Sequence, residues 1–299
     1  MTTVNNRVMK PQAITINTIA AGGLMTLRLL AGYDNVLQTP VDGLQVPMGD
    51  RLTEFVRGNM TGQDWLHVIE LLTGAVGTSV HYERKSGVAE ATGYIKHTLN
   101  KPVIHRCGIS LMHRGYGSIN ADFECQAADE TEGIADLWVP EDNQAAPTYV
   151  SAARGLEITA CVHGGDLNIY HVTKLDFNIV MQLLKASQDG DIGYTAVDAL
   201  LSGIMPSGVL TIQDSEIISA KLKAVEMVQA ARGNLVLSIR QAGGAAAKTL
   251  TIAGVEFTNL SESSDVNADY SSYDVPFIIT NNASTPLTLS GPNKILAIA

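Results

Sequence analysis

A five-residue run, Ile119-Asn120-Ala121-Asp122-Phe123, returns as Val266-Asn267-Ala268-Asp269-Tyr270, 147 positions later in a chain of 299 residues. That offset is half the chain. A repeat this long points to two copies of a domain rather than to a solenoid, and it restricts the fold to something that can be built twice. Around the run lies a wider frame: Ile104, Gly108, Ile109 and Leu111 precede the first copy as Leu250, Gly254, Val255 and Phe257 precede the second. Upstream, Val68 to Leu72 leads through Gly77 into Thr78 to Glu83, and Ala224 to Val228 leads through Gly233 into Asn234 to Ile239. Each reads as helix, glycine stop, strand. Arg84 matches Arg240 and Gly87 matches Gly243. One detail conflicts. Val80 and Tyr82 alternate as the apolar pair of the first copy, whereas Leu235, Leu237 and Ile239 have the opposite parity, and a one-residue slip turns a strand over.

The elements are mostly strands. Ile109 and Leu111 alternate with polar neighbours, as do Ile119, Ala121, Phe123 and Cys125 after a turn at His113 to Ser118. Asn120, Asp122 and Glu124 occupy the opposite face, which should meet water or a polar partner. Thr61 and Asp64 resemble a capping box, and Trp65, Ile69, Leu72 and Val76 follow at helical spacing. The predicted class is mainly β with α (α+β): two tandem β-sandwich or barrel domains, each with a packed helix, related by internal duplication. Residues 1–127 form the first domain and 148–299 the second, with an acidic linker over 128–147. Within that linker Leu137-Trp138-Val139 is too apolar for pure linker, and is a candidate contact with a domain or a neighbouring subunit. The stretch 175–181 reads as strand and 195–201 as the start of a short helix, with neither settled.

Charge and composition narrow the function classes. Each half is net minus five, with 11 basic and 16 acidic residues up to Pro147 and 9 and 14 after it. That balance disfavours a basic groove for nucleic-acid phosphates. The uncharged stretch 11–27 is broken by Thr15, Asn17, Thr18 and two glycines, so the sequence predicts neither a membrane anchor nor a signal peptide. Cys107, Cys125 and Cys161 are widely spaced and read as small buried residues. No histidine pair, nucleophile elbow, phosphate loop or dinucleotide fingerprint is present in the sequence, so no catalytic, cofactor-binding or metal-binding residue is assigned. Gly115 to Ser118 reads as a turn and Asp189-Gly190-Asp191 as a polar turn lacking the later acidic ligands of a calcium loop.

A duplicated domain without a site suits a ring, because fusing two copies halves the number of chains needed to close it. The helix, glycine and strand of Trp65 to Glu83 and of Leu222 to Ile239, with the hairpins Val103 to Ala127 and Leu250 to Val275, resemble the tail tube proteins of long-tailed bacteriophages. The resemblance covers almost the whole chain as a pattern. It implies a non-enzymatic structural subunit of the virion tail, made in the bacterial cytoplasm, that forms stacked trimeric rings of pseudo-sixfold symmetry and contacts other tail proteins. DNA would pass through the lumen without specific binding, and no cofactor is implied. Asp122, Glu124 and Asp269 are then candidates for an acidic lumen lining, Leu137, Trp138 and Val139 for inter-subunit contact, and the loop Asn35 to Asp50 for contact with the next ring. Two other classes are weighed beside it. A trimeric DNA sliding clamp needs basic helices around its hole, and the 61–76 helix has none, although Lys221, Lys223 and Arg232 are basic. A cytosolic twin-domain enzyme would need a pocket with convergent polar groups.

Overall fold

The computed structural model describes residues 9–16, 19–22, 24–38, 48–63, 78–85, 87–89, 91–127, 133–147, 156–186, 198–214, 225–241, 247–263, 271–281 and 296–298. They are mostly strand. The first half contributes β1 (Met9–Ile16), β2 (Ile19–Gly22), β3 (Leu24–Gln38), β4 (Met48–Gly62), β5 (Thr78–Lys85), β6 (Tyr94–Asn100), β7 (Pro102–Met112), β8 (Ser118–Cys125), helix α1 (Ile134–Leu137) and β9 (Trp138–Gln144). From the second half come β10 (Leu156–His163), β11 (Leu167–Asn168), β12 (Val172–Ala186), β13 (Asp198–Asp214), β14 (Gly233–Gln241), β15 (Ala247–Phe257), β16 (Ser261–Ser263), β17 (Ser271–Ile279) and β18 (Leu296–Ile298). Strict alternation makes these strands. In β12, Leu175, Phe177 and Ile179 are buried while Asn178 and Val180 are exposed, the period of two that places alternate side chains on opposite faces.

The pairing pattern occurs twice. In the first half β1 pairs with β2 and β5, β5 with β6, β6 with β9, β3 with β4, β4 with β8, and β8 with β7. Adding nine to each strand number gives the pairings of the second half, where β15 and β16 together take the place of β7. The registers agree as well. Gly58 lies opposite Leu29 and Phe123, as Gly208 lies opposite Phe177 and Phe277. Ile104 faces Phe123 as Phe257 faces Phe277, and Ile109 faces Ile119 as Glu262 faces Tyr273. Between the parts of this strand that pair in the two sheets, the backbone turns at a positive φ in both halves, 41° at Lys101 and 70° at Gly254.

These registers displace the repeated pentapeptide. Ile119 to Phe123 stands in β8, whose counterpart by pairing is Tyr273 to Phe277 in β17; Val255 pairs with Ile279, where the sequence frame puts it opposite Val266. Val266 to Tyr270 lie outside the described residues. Thus Asp122 corresponds in position to Pro276, and the match at an offset of 147 is out of structural register. The strand part of the upstream match holds: Arg84 and Arg240 sit at the same place in β5 and β14, and in the second half 225–229 is helical before Gly233. Residues 64–77, with the helix expected there, are outside the described residues, and Thr61 and Gly62 end β4. The stretches 175–181 and 198–201 are both strand, in β12 and β13.

Among the described residues the halves are linked by an isolated bridge, Gly115↔Leu156, and by one longer strand pairing. β7 pairs antiparallel with β12 from Met112↔Lys174 to Arg106↔Val180, so a single sheet runs β3-β4-β8-β7-β12-β13-β17 and on through β15, β14, β10 and β11. Its inner face forms the continuous core with Leu111, Phe123, Leu175, Phe177, Leu210, Val275 and Phe277. The remaining strands of the first half form a second sheet, β2-β1-β5-β6-β9. The segment expected to be an acidic linker is therefore partly built into it: 133–147 holds α1 and the edge strand β9, which pairs with β6 from Leu99↔Trp138 to Tyr94↔Gln144. Likewise, the parts of the expected loop Asn35 to Asp50 that are described, 35–38 and 48–50, continue the β3–β4 hairpin.

Candidate functional site: the outer face of the large sheet

Residues of the large sheet that point away from the core form one broad surface across both halves, polar over β4, β8 and β7 and interrupted by the exposed apolar side chains Leu30, Met112, Val180, Met205 and Ile278. Register sets its rows. Asn59, Asp122, Arg106 and Val180 stand side by side on β4, β8, β7 and β12; the next row is Thr61, Asn120, Gly108, Asn178 and Ser207. Cross-strand hydrogen bonds knit it. Asn59 Nδ2 donates to Asn120 Oδ1 at 2.8 Å and to Asp122, Ser110 Oγ donates to Asp176 Oδ1 at 2.6 Å, and Thr211 Oγ1 donates to Asp274 Oδ1 at 2.7 Å. Asn59–Asn120 is a diagonal pair and the others are directly opposed, and such cross-strand pairs stabilise one face of an antiparallel sheet.

The expected acidic lining is altered by its neighbours. Glu124 is buried, with the Arg57 guanidinium donating from Nε to its Oε2 at 2.8 Å, and Arg57 itself stacks 3.9 Å above the Phe55 ring. Asp122 accepts from Asn59 and lies 4.0 Å from Arg106 Nη1. Asp176 is paired with Lys174 at 2.6 Å. Each of these carboxylates thus has a cation on the same face, which cancels most of the field a bare acidic row would project. Asp269 lies outside the described residues. Around these three carboxylates the face is locally close to neutral. Sequence patterning reveals which residues share it, but the Arg57–Glu124 pair joins β4 and β8, 67 positions apart in the chain.

A second polar group, not anticipated from the sequence, lies inside the first half. Ser79 and His81 are buried and Val80 is less so, the reverse of what their polarity suggests. His81 and Ser79 therefore occupy the places that Leu237 and Leu235 hold in β14, and the parity conflict between the two copies disappears. Ser79 Oγ lies 2.8 Å from His81 Nε2, the imidazole stacks on Phe123 with centroids 5.9 Å apart, and His81 Nδ1 has no partner. Burial, with His97 opposite as a smaller influence, lowers the His81 pKa to about 3, so the ring is neutral. Across the sheet, the Trp138 indole N–H donates to His97 Nδ1 at 3.1 Å, which leaves His97 Nε2 to donate to Glu83 Oε2 at 3.1 Å. Only a small pocket, lined by Met60, Ser79, His81, Pro102, Ile104 and Phe123, adjoins this group.

Trp138 is thereby held by its own chain. Leu137 is 1% exposed and part of the core, Trp138 packs against that core, and of the three candidate contact residues Val139 alone is exposed. The acidic residues that follow fasten β9: Lys96 Nζ meets Glu141 Oε2 at 2.6 Å, and the buried Lys85 pairs with Asp142 while donating to Asn143 Oδ1 at 3.1 Å. Burial raises the thiol pKa of Cys107, Cys125 and Cys161 to about 12; nearby Asp122 adds to the effect at Cys107 and Glu124 at Cys125. Such thiols are not nucleophiles near neutrality. Among the described residues there is no group of three or more His, Cys, Asp or Glu placed to hold a metal ion, and no helix long and apolar enough to cross a membrane. Compared with known protein families and with curated proteins, the chain matches no family model and no curated protein.

Proposed function

We propose that the chain is a tandem duplication of a ring-forming β domain, and that it acts as a structural subunit of a phage tail tube through which DNA passes. The observation that carries this reading is the repeated pairing pattern together with the β7–β12 joint. Two equivalent units are joined edge to edge, head to tail, and a head-to-tail contact closes into a ring when its rotation divides a full turn. Each unit offers four strands to the large sheet: β3, β4, β8 and β7 in one, and β12, β13, β17 and β15–β16 in the other. Three chains would supply about 24 strands, and at about 4.8 Å per strand the wall would measure about 115 Å around and about 37 Å across. With side chains inside, that lumen admits a DNA duplex. The outer face, where Glu124, Asp122 and Asp176 each have a cation beside them, would line it and give phosphate neither a basic surface to stick to nor a strong barrier.

Stacking follows from strand direction. Successive strands are antiparallel, and β3 and β12 are four positions apart, so the β3–β4 and β12–β13 hairpins point toward the same end of the sheet. β8 pairs with β4 only over 57–62, and β17 with β13 only over 207–214, so the far parts of both hairpins run beyond their neighbours. They are placed to reach the next ring. Electron microscopy of the concentrated purified protein tests the proposal: tubes or stacked rings of three chains with six similar lobes are expected. Isolated closed rings would remove the tube, and a monomer at high concentration would remove the ring.

A further inference from the structure

The internal joint has one member without a counterpart. β7 of the first unit pairs with β12 of the second, but the corresponding edges, 259–263 of the second unit and β3 of the first, have no strand paired on that side among the described residues. Both are free edges with their backbone groups unpaired on that side, and an unpaired edge is a template for strand addition. Among the described residues β3 is the end of the large sheet, with β4 as its paired neighbour. Its Leu30 side chain is 60% exposed there, and Ser261 is also exposed.

We infer that β3 of one copy pairs antiparallel with residues 259–263 of a second copy, in the register that β12 and β7 use within the chain. This rests on the ring reading and specifies its joint. The register follows from the matched positions. Phe177 and Leu29 both face a glycine, Gly208 and Gly58, so Asn178 maps onto Leu30. Gly108 faces Asn120 and Ser261 faces Asp274, one position from the matched Ile109↔Ile119 and Glu262↔Tyr273 pairs, so Gly108 maps onto Ser261. Asn178 pairs with Gly108 inside the chain, hence Leu30 pairs with Ser261 of the second copy. The same shift sets Arg28 opposite Ser263 and Gly32 opposite Asn259. The partner is a second copy of this chain because its free edge already carries the strand order that β3 lacks. Strand direction agrees: β3 points as β12 does, and 259–263 as β7 does.

Disulfide trapping reads the register directly. Opposed residues on antiparallel strands have Cα atoms about 4.5–5.5 Å apart, within reach of a disulfide. Full-length chain carrying Leu30→Cys and Ser261→Cys should form intermolecular disulfides under mild oxidation, and the ladder on a non-reducing gel should end at three chains, whose ring closes covalently. Leu30→Cys with Leu260→Cys should link at least tenfold more slowly, because Leu260 packs against the core, on the other side of the sheet from Ser261. Asn178→Cys with Gly108→Cys should link within one chain and serves as the positive control. Rings seen by microscopy without the Leu30–Ser261 link would overturn the register and leave the ring standing. A ladder running past three chains would overturn closure at three, and a chain that stays monomeric would overturn both readings.

Discussion

At the scale of single residues, the two units differ most where the core turns polar. Ser79 and His81 stand in β5 where Leu235 and Leu237 stand in β14, and His97 stands in β6 where Leu250 stands in β15. A buried imidazole with an unpartnered Nδ1 loses stability relative to a hydrocarbon of similar size. Replacing both members, Ser79→Ala with His81→Leu, should stabilise the protein by about 1–3 kcal/mol in urea unfolding at pH 7. The pH dependence has a definite sign. His81 has a folded pKa of about 3 against 6.5 for the free side chain, so the unfolded chain binds the extra proton first. Stability present above pH 6.5 is then lost as pH falls toward 3, with a slope of up to about 1.4 kcal/mol per pH unit. The double variant should lack that part of the slope; an unchanged slope would show that His81 is not the titrating group. Elsewhere the residue scale preserves the match. A Cβ on Gly58 or on Gly208 would run into the ring of Phe123 or Phe277, so each glycine is needed for the aromatic lying over it.

At the scale of elements, β9 shows how an acidic, proline-containing segment becomes a strand. Alone it reads as linker. It is secured by partners from other strands, the Trp138–His97 hydrogen bond, the half-buried Lys96–Glu141 pair and the buried Lys85 with Asp142. Their consequences differ with burial. Asp142→Asn should cost about 1–2 kcal/mol, since it removes the charge partner of a lysine whose side chain is 5% exposed although Asp142 itself is open to water. Glu141→Gln should change stability by less than about 0.5 kcal/mol. Equal losses in chemical denaturation would contradict this account of β9. The strand pairing was half legible in the sequence. Alternation identifies β7 and β8 and leaves the 175–181 part of β12 unsettled, whereas β5 hides its buried face because polar side chains occupy it.

At the scale of the whole molecule, the two long hairpins leave the sheet at one end, which ties their behaviour together. If rings stack through that end, the connecting segments 39–47 and 187–197 should both become resistant to limited proteolysis on assembly, by at least about tenfold, and they should do so together. Protection of one segment alone, or cleavage at the same rate before and after assembly, would remove these hairpins from the stacking contact. The Arg57–Glu124 pair belongs to this scale too, because it joins β4 and β8, strands distant in sequence, whereas Arg106–Asp122 spans one hairpin and Lys174–Asp176 lies within β12.

By itself the sequence determined the β-rich class, the alternating faces of the main strands, the inert burial of the cysteines and the presence of a glycine-stopped helix before β14. These are local properties, set by side-chain periodicity and backbone freedom over a few residues. Tertiary structure decided the register of the repeat, the incorporation of β9, the pairing of the acidic residues and the joint between halves. Pairing partners are chosen by which faces bury together, and a five-residue identity carries no information about that choice when the true counterparts, such as Phe123 and Phe277, are separated by intervening insertions.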